Sequence, residues 1–201
     1  MARYLFAWEL GGGLGHVGNF VPVARALHDA GHQVAFALRD LRSLAAIDPG
    51  ADIPVFQAPV CTYQIQGLAD PPLNYAEILM RYGYLDSEML YGLVAGWRRL
   101  VATTGAEIMV ADHSPSAMLA ARILGIRCVL LGNAFIVPPQ VSPTPTMRPW
   151  MNIPEMRLAS SDKRILDTMN KVLTDAGSPA LAHIYQLFDV HDITMCTTSS
   201  C

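Results

Sequence analysis

Two ionisable side chains in this sequence could do chemistry together. His16 follows the glycine-rich stretch Gly11-Gly12-Gly13-Leu14-Gly15, and Asp112 closes the apolar run "EIMVAD". A carboxylate beside an imidazole fixes the tautomer through one ring nitrogen. It also stabilises the cation formed when the other nitrogen takes a proton. Such a pair can deprotonate a hydroxyl as it attacks, an effect worth about 10²–10⁴-fold in rate. The two residues lie far apart in sequence, so only the topology of the fold can bring them together.

Plainer readings stand beside this one. His16 could cap the turn, and Asp112 could cap the helix that follows it. The glycines could also cradle a dinucleotide, whose fingerprint is G-x-G-x-x-G/A with an acid about 20 residues on. Gly11 and Gly13 begin one such register, but its third position is His16. Gly13, Gly15 and Gly18 fill another, and Asp40 stands near where a ribose-binding acid would lie. The bulky His16 occupies the helix N-terminus that would receive the pyrophosphate.

The elements that must position these residues alternate between strand and helix patterns. Residues 3–10 are a short apolar run ending at glycines, which predicts a buried first strand. Val17, Phe20, Val21, Ala24 and Leu27 recur at helical spacing, with Gly31 as the stop. Residues 32–38 predict a second strand. Residues 53–60, with Pro54 and Pro59, predict a ragged or edge third strand. Asn74 and Glu77 resemble a capping box at the head of a long helical region, with a break near Gly83. Residues 107–113 predict a fourth strand. Ser114-Pro115 then reads as an N-cap with Pro at the first helical position of a helix running to Gly125. Residues 127–135 predict a fifth strand, 137–154 a proline-rich surface loop, and Ser160 or Ser161 the cap of an amphipathic helix. Ser178-Pro179 reads as a further helix start, and residues 192–201 as a sixth strand.

This alternation predicts an α/β fold: a doubly wound, Rossmann-like parallel sheet covered on both faces. The expected strand order is 3-2-1-4-5, with a further strand at the C-terminus. Ligands bind such sheets outside the carboxyl ends of the strands, where the strand order reverses. That point lies between the first and fourth strands, which places His16 and Asp112 side by side.

The 201 residues suit a single α/β domain spanning 1–201. A net charge of −3 gives no electrostatic footprint for nucleic acid, and no basic run favours an anionic membrane surface. The N-terminus lacks the pattern of a signal peptide. The most apolar region, 116–137, is interrupted by Arg122, Arg127 and Asn133, so no stable membrane anchor is expected. Cys61, Cys128, Cys196 and Cys201 have neither metal-like nor disulfide-like spacing. A cytoplasmic location is the expectation. Apolar residues make up 52% and charged residues 15%, which fits a large core or a face that a partner covers, and is compatible with self-association.

The block "GGGLGHVGNFVPVARALHDAGHQVAFA" resembles the opening of family 1 glycosyltransferases of the GT-B fold. Residues 13–36 match that register, and the likeness continues more loosely through Asp112 and "ARILGIRCVLLG". The resemblance implies an N-terminal, acceptor-binding half of a hexosyl-transferase-like enzyme. His16 would be the base that deprotonates an acceptor hydroxyl, and Asp112 its partner. Attack on the anomeric carbon would invert it without a metal. The nucleotide-sugar donor would be a co-substrate, bound mainly by a C-terminal half for which this sequence carries no motif. The chain alone is therefore expected to be inactive, needing a donor-binding domain or a separate chain as partner. A non-catalytic acceptor-binding or scaffolding subunit of a split transferase is the alternative, and a dinucleotide-binding protein a further one.

A small hydroxylated acceptor would meet segments after the third and fifth strands. The candidates in those segments are Tyr63, Tyr82, Asn133, Phe135 and Trp150, with Met80, Tyr84, Met89, Tyr91 and Pro145 as further lining, and Gly13 and Gly15 of the first turn are acceptor-binding candidates beside them. Met and aromatic residues at helical spacing also fit an ordinary core. Asp189 to Asp192 resemble a metal cluster but sit in a short loop. His113 adjoins Asp112, and strand alternation should turn it to another side.

Overall fold

The structure, a computed structural model, describes residues 1–50, 52–63, 65–132 and 137–190, and the backbone of 192–195. The chain divides into two compact units. The first comprises residues 1–60, 94–136 and 190–201, and the second 61–93 and 137–189.

The first unit is built on a six-stranded parallel sheet of order β3-β2-β1-β4-β5-β6. Its strands are β1 (Arg3–Trp8), β2 (Gln33–Leu38), β3 (Val55–Gln57), β4 (Ile108–Asp112), β5 (Arg127–Gly132) and β6 (Asp192–Met195). The reversal of order falls between β1 and β4, as the sequence predicts. Strand β3 is a short edge strand. Pro54 and Pro59 flank it, and neither can donate to a ladder. On one face Phe6, Phe36 and Val110 pack with Val17, Phe20 and Ala24 of α1 (Gly15–Asp29). The rings of Phe6 lie 5.1 Å from Phe20 and 5.3 Å from Phe36. Leu5, Ala7, Ala35, Ala37, Met109 and Ala111 alternate to the other face and are also buried. Burial on both faces is why these strands are continuous apolar runs rather than alternating ones.

Helix α4 (Pro115–Leu124) follows β4 with Pro115 at its first position, and ends at Gly125 in the left-handed region. Its cap differs from the sequence expectation. Ser114 does not cap it, because the Ser114 hydroxyl donates to the carbonyls of Ala7, at 2.7 Å, and Asp112, at 3.1 Å. Glu9 takes the role instead, its Oε2 accepting the Ser116 N–H at 2.9 Å. A buried carboxyl at a helix N-terminus meets two opposing forces. Burial dominates and pushes Glu9 up to about 7, against the hydrogen bonds of Ser116 and Ala117.

The second unit holds α2 (Tyr75–Met80), α5 (Glu155–Asp175) and the start of α3 (Ser87–Thr104), which continues into the first unit from Val94. The helical region breaks as expected at Gly83, whose φ of +91° suits glycine. Asn74 accepts the Glu77 N–H at 3.0 Å, the first half of the expected capping box. Glu77 reaches one residue further back and accepts the Leu73 N–H at 2.9 Å. The Asn74 amide also donates to the Thr144 carbonyl and to Asp162. The Asp162 carboxylate accepts the Thr144 N–H at 2.6 Å, which ties the proline-rich segment to α5.

Two helix expectations here are corrected. Helix α5 begins at Glu155 after Pro154, so Ser160 and Ser161 lie inside it rather than capping it. The Ser161 hydroxyl is engaged with Glu77 at 3.3 Å. No helix starts at Ser178-Pro179. The Asn170 side chain clasps both backbone groups of Leu181 and holds that stretch out of helical pairing, and a short 3-10 turn follows at Ile184–Phe188. Among the described residues no helix is long and apolar enough to cross a membrane.

The buried Glu9 gives stability a pH slope. Its folded value lies above its ordinary 4.5. Between about pH 4.5 and 7 the unfolded chain has lost a proton that the folded chain keeps, so stability falls as pH rises. Urea unfolding across that window should show a loss on the order of 3 kcal/mol. Glu9→Gln should flatten the slope, and an unchanged slope would refute this account.

Candidate functional site

The site forms where β1 and β4 end side by side, with Trp8 and Asp112 as register partners. After Trp8 the chain is pinned by the Leu10 N–H, which donates to the His113 carbonyl at 2.9 Å. It then turns through Gly11 and Gly13, both at φ +84°, and enters α1 at Gly15. His16 is thus the second residue of α1. Its Nδ1 lies 3.0 Å from Asp112 Oδ1. The two side chains are 15% and 2% exposed.

With Asp112 ionised, Nδ1 carries the proton and donates it to Oδ1, leaving Nε2 with a free lone pair. Burial pushes the Asp112 carboxyl up, and the hydrogen bond and charge of His16 draw it back. The imidazole stacks on Trp8, with centroids 5.8 Å apart and planes 20° from parallel. Trp8 is itself fixed by its indole N–H, which donates to the Leu10 carbonyl at 2.8 Å. Gly11 closes on the other ring nitrogen. A Cβ there would sit 2.5 Å from Nε2, closer than atoms can approach. Ring orientation is therefore set by three neighbours: a carboxylate, an aromatic face and a bare backbone.

His113 departs from expectation. Its φ of +45° breaks the strand alternation after β4, and its ring lies 6.0 Å from that of His16. Burial, with the nearby charges of His16 and Arg39, pushes it down to about 4. Burial thus leaves it uncharged at neutral pH and makes it a weaker base.

The dinucleotide register lacks its physical basis. In that fingerprint the third glycine permits close packing of helix on strand. Gly18 is exposed, and a Cβ there would meet nothing within 4 Å. The Asp40 carboxylate is engaged by Arg42, at 2.6 Å from Nη2, and held down to about 2. Among the described residues no group of three or more His, Cys, Asp and Glu could hold a metal ion.

Of the acceptor candidates, Gly13 and Gly15 lie in the turn that carries His16. Tyr63, Tyr82 and Trp150 belong to the second unit. Tyr63 is 41% exposed and Trp150 75%. Met80 and Tyr84 are core residues of that unit. Asn133 and Phe135 lie outside the described residues, as do His191, Cys196 and Cys201. Sequence reasoning missed Trp8 and Gly11 as supports of His16. Trp8 was findable as an aromatic near the end of the expected first strand, beside the predicted end of the fourth.

No family model and no curated protein matches the chain. Solved structures do match it. One is the glycosyltransferase SsfS6 of Streptomyces sp. SF2575, at TM-score 0.50 and 18% identity, with 90% of this chain aligned to 48% of that one. Another is the spinosyn rhamnosyltransferase SpnG complexed with thymidine diphosphate, at TM-score 0.51 and 15% identity, with 90% aligned to 42%. The fold is glycosyltransferase-like. At these identities the likeness is one of fold, and the chain spans about half the length of the structures it matches. The shared architecture is the Rossmann-like half of a GT-B protein, as the opening residues suggested.

The Gly11 contact is testable. Gly11→Ala combines a strained positive φ with a clash against Nε2, and should displace the imidazole. The carbon-bound ring protons of His16 should shift in an NMR spectrum of this variant. Gly12→Ala meets nothing within 4 Å and should leave them in place. Equal spectra for both variants would remove Gly11 from the site.

Proposed function

We propose that this chain is the acceptor-binding part of an inverting glycosyltransferase, which moves a sugar from a nucleotide donor to a hydroxyl of a small molecule. The observation that carries the reading is the 3.0 Å contact between His16 and Asp112 at the point of strand reversal. The glycosyltransferase-like fold supports it.

In this mechanism the acceptor hydroxyl donates its hydrogen bond to His16 Nε2. As its oxygen attacks the anomeric carbon, the proton passes to Nε2 and the nucleoside diphosphate leaves from the opposite face. Asp112 stabilises the imidazolium through Nδ1 and does not itself take the proton. The Trp8 face also favours the cation that forms, since a π-face attracts positive charge. Donor binding falls to a second half, joined to this chain or supplied as a separate one. The roles divide: His16 moves the proton, and Asp112 orients the ring and balances its charge.

Two measurements test this reading. In the assembled transferase, His16→Ala should lower kcat by about 10²–10⁴-fold and leave acceptor KM nearly unchanged. An unchanged kcat would favour a non-catalytic binding subunit. For the chain by itself, titration calorimetry with NAD(H), NADP(H), UDP-glucose and dTDP-glucose should register no tight binding. Tight dinucleotide binding would overturn the reading and turn the glycine stretch into a phosphate cradle.

A further inference from the structure

The second unit contains a cavity of about 620 Å³ that includes neither His16 nor Asp112. That volume suits a small organic ligand. Its wall carries three guanidinium groups, Arg81, Arg157 and Arg164, against one carboxylate, Glu77. This is an excess of positive charge in a chain whose net charge is −3. Leu68, Met80, Pro154 and Met156 supply an apolar lining between the charges.

The carboxylate is already engaged. Glu77 accepts from the Leu73 N–H at 2.9 Å and from the Ser161 hydroxyl at 3.3 Å, and pairs loosely with Arg157 at 3.5 Å. Arg81 is anchored by the carbonyls of Glu77, at 2.7 Å, and Ala69, and pairs loosely with the exposed Asp70 at 3.4 Å. The Arg164 guanidinium has no hydrogen bond or ion pair among the described residues. The wall also includes the start of α5, a 21-residue helix whose N-terminus has no side-chain cap. Its dipole adds to the positive field, and Glu155 in its first turn offsets part of that.

Arginine forks match carboxylate and phosphate oxygens in pairs, and such charge-assisted bonds are the strong ones. The apolar lining between them suits a hydrocarbon or ring rather than a bare ion. We propose that this cavity binds a small amphiphilic anion, a carboxylate or phosphate carried on an apolar body. Arg157 and Arg164 hold the anion, and Leu68, Met80 and Met156 hold the body. The proposal stands apart from the proton-transfer role of His16, and either can fail alone.

Titration calorimetry on the full chain tests it with octanoate, octyl phosphate, 1-octanol and inorganic phosphate as probes. Octanoate or octyl phosphate should bind one per chain, at least tenfold more tightly than either 1-octanol or inorganic phosphate. Arg157→Gln and Arg164→Gln should each weaken that binding at least tenfold. Arg164 is exposed and holds nothing, so its variant should keep the parent unfolding midpoint. Absence of binding by both anionic probes would overturn the proposal. So would 1-octanol binding as tightly as octanoate, inorganic phosphate binding as tightly as octyl phosphate, or full affinity in both variants.

Discussion

The parallel pairing of β1 with β4 is the constraint on which the candidate site depends. It sets Trp8 against Asp112 and brings the loop after β1 to the carboxylate at the end of β4. The chain crosses between them through two further strands and three helices, so the contact is long-range in sequence and fixed by topology alone. The packing of the two strands holds that register, because a slip by one residue would move Phe6 and Val110 off the face packed on α1 to the face where the smaller Ala7 and Ala111 are buried. A hydrogen bond as short-range as His16 to Asp112 is therefore maintained by burial across the whole sheet. Small errors in positioning a base cost rate steeply, so a rigid sheet is a suitable support for one.

Much of this was legible beforehand, and the reasons are physical. Buried parallel strands write themselves as apolar runs, and glycines mark the ends of helices, so element order follows from periodicity and punctuation, and strand order from the usual topology of a doubly wound sheet. The placement of His16 beside Asp112 followed from strand order. What was not legible depends on which of several polar groups wins a contact. Ser114 has the residue type of an N-cap, yet its hydroxyl finds the Ala7 carbonyl and leaves the cap to Glu9, distant in sequence. Ser160 and Ser161 likewise look like caps. Ser161 is drawn into the Glu77 network, and the helix starts a turn and a half earlier, behind Pro154. His113 escapes strand alternation because its backbone enters the left-handed region, which no periodicity reveals in a residue other than glycine.

The glycine stretch shows how one motif can be read two ways until the side chains are placed. In a dinucleotide fold the glycines make room for a pyrophosphate and for close helix packing. Here Gly11 makes room for an imidazole of the same chain, and Gly18 faces open space. The spacing of glycines alone does not separate these uses. What separates them is the object each glycine would strike if it carried a side chain.

Burial sorts the ionisable groups around the strand ends into different roles. Glu9, Asp112 and His113 are all nearly inaccessible, and in each the charged form is disfavoured by desolvation. Glu9 is given backbone N–H groups at the start of α4, which offset only part of that cost. Its environment suits a neutral acid that still anchors a helix. His113 has the charge of His16 and of Arg39 against it as well, and is left neutral. Asp112 alone accepts a hydrogen bond from an imidazole, and that bond and the charge of His16 offset part of the effect of its burial. His16 keeps 15% of its side chain exposed beside that buried carboxylate, which is the arrangement the proposed proton transfer needs.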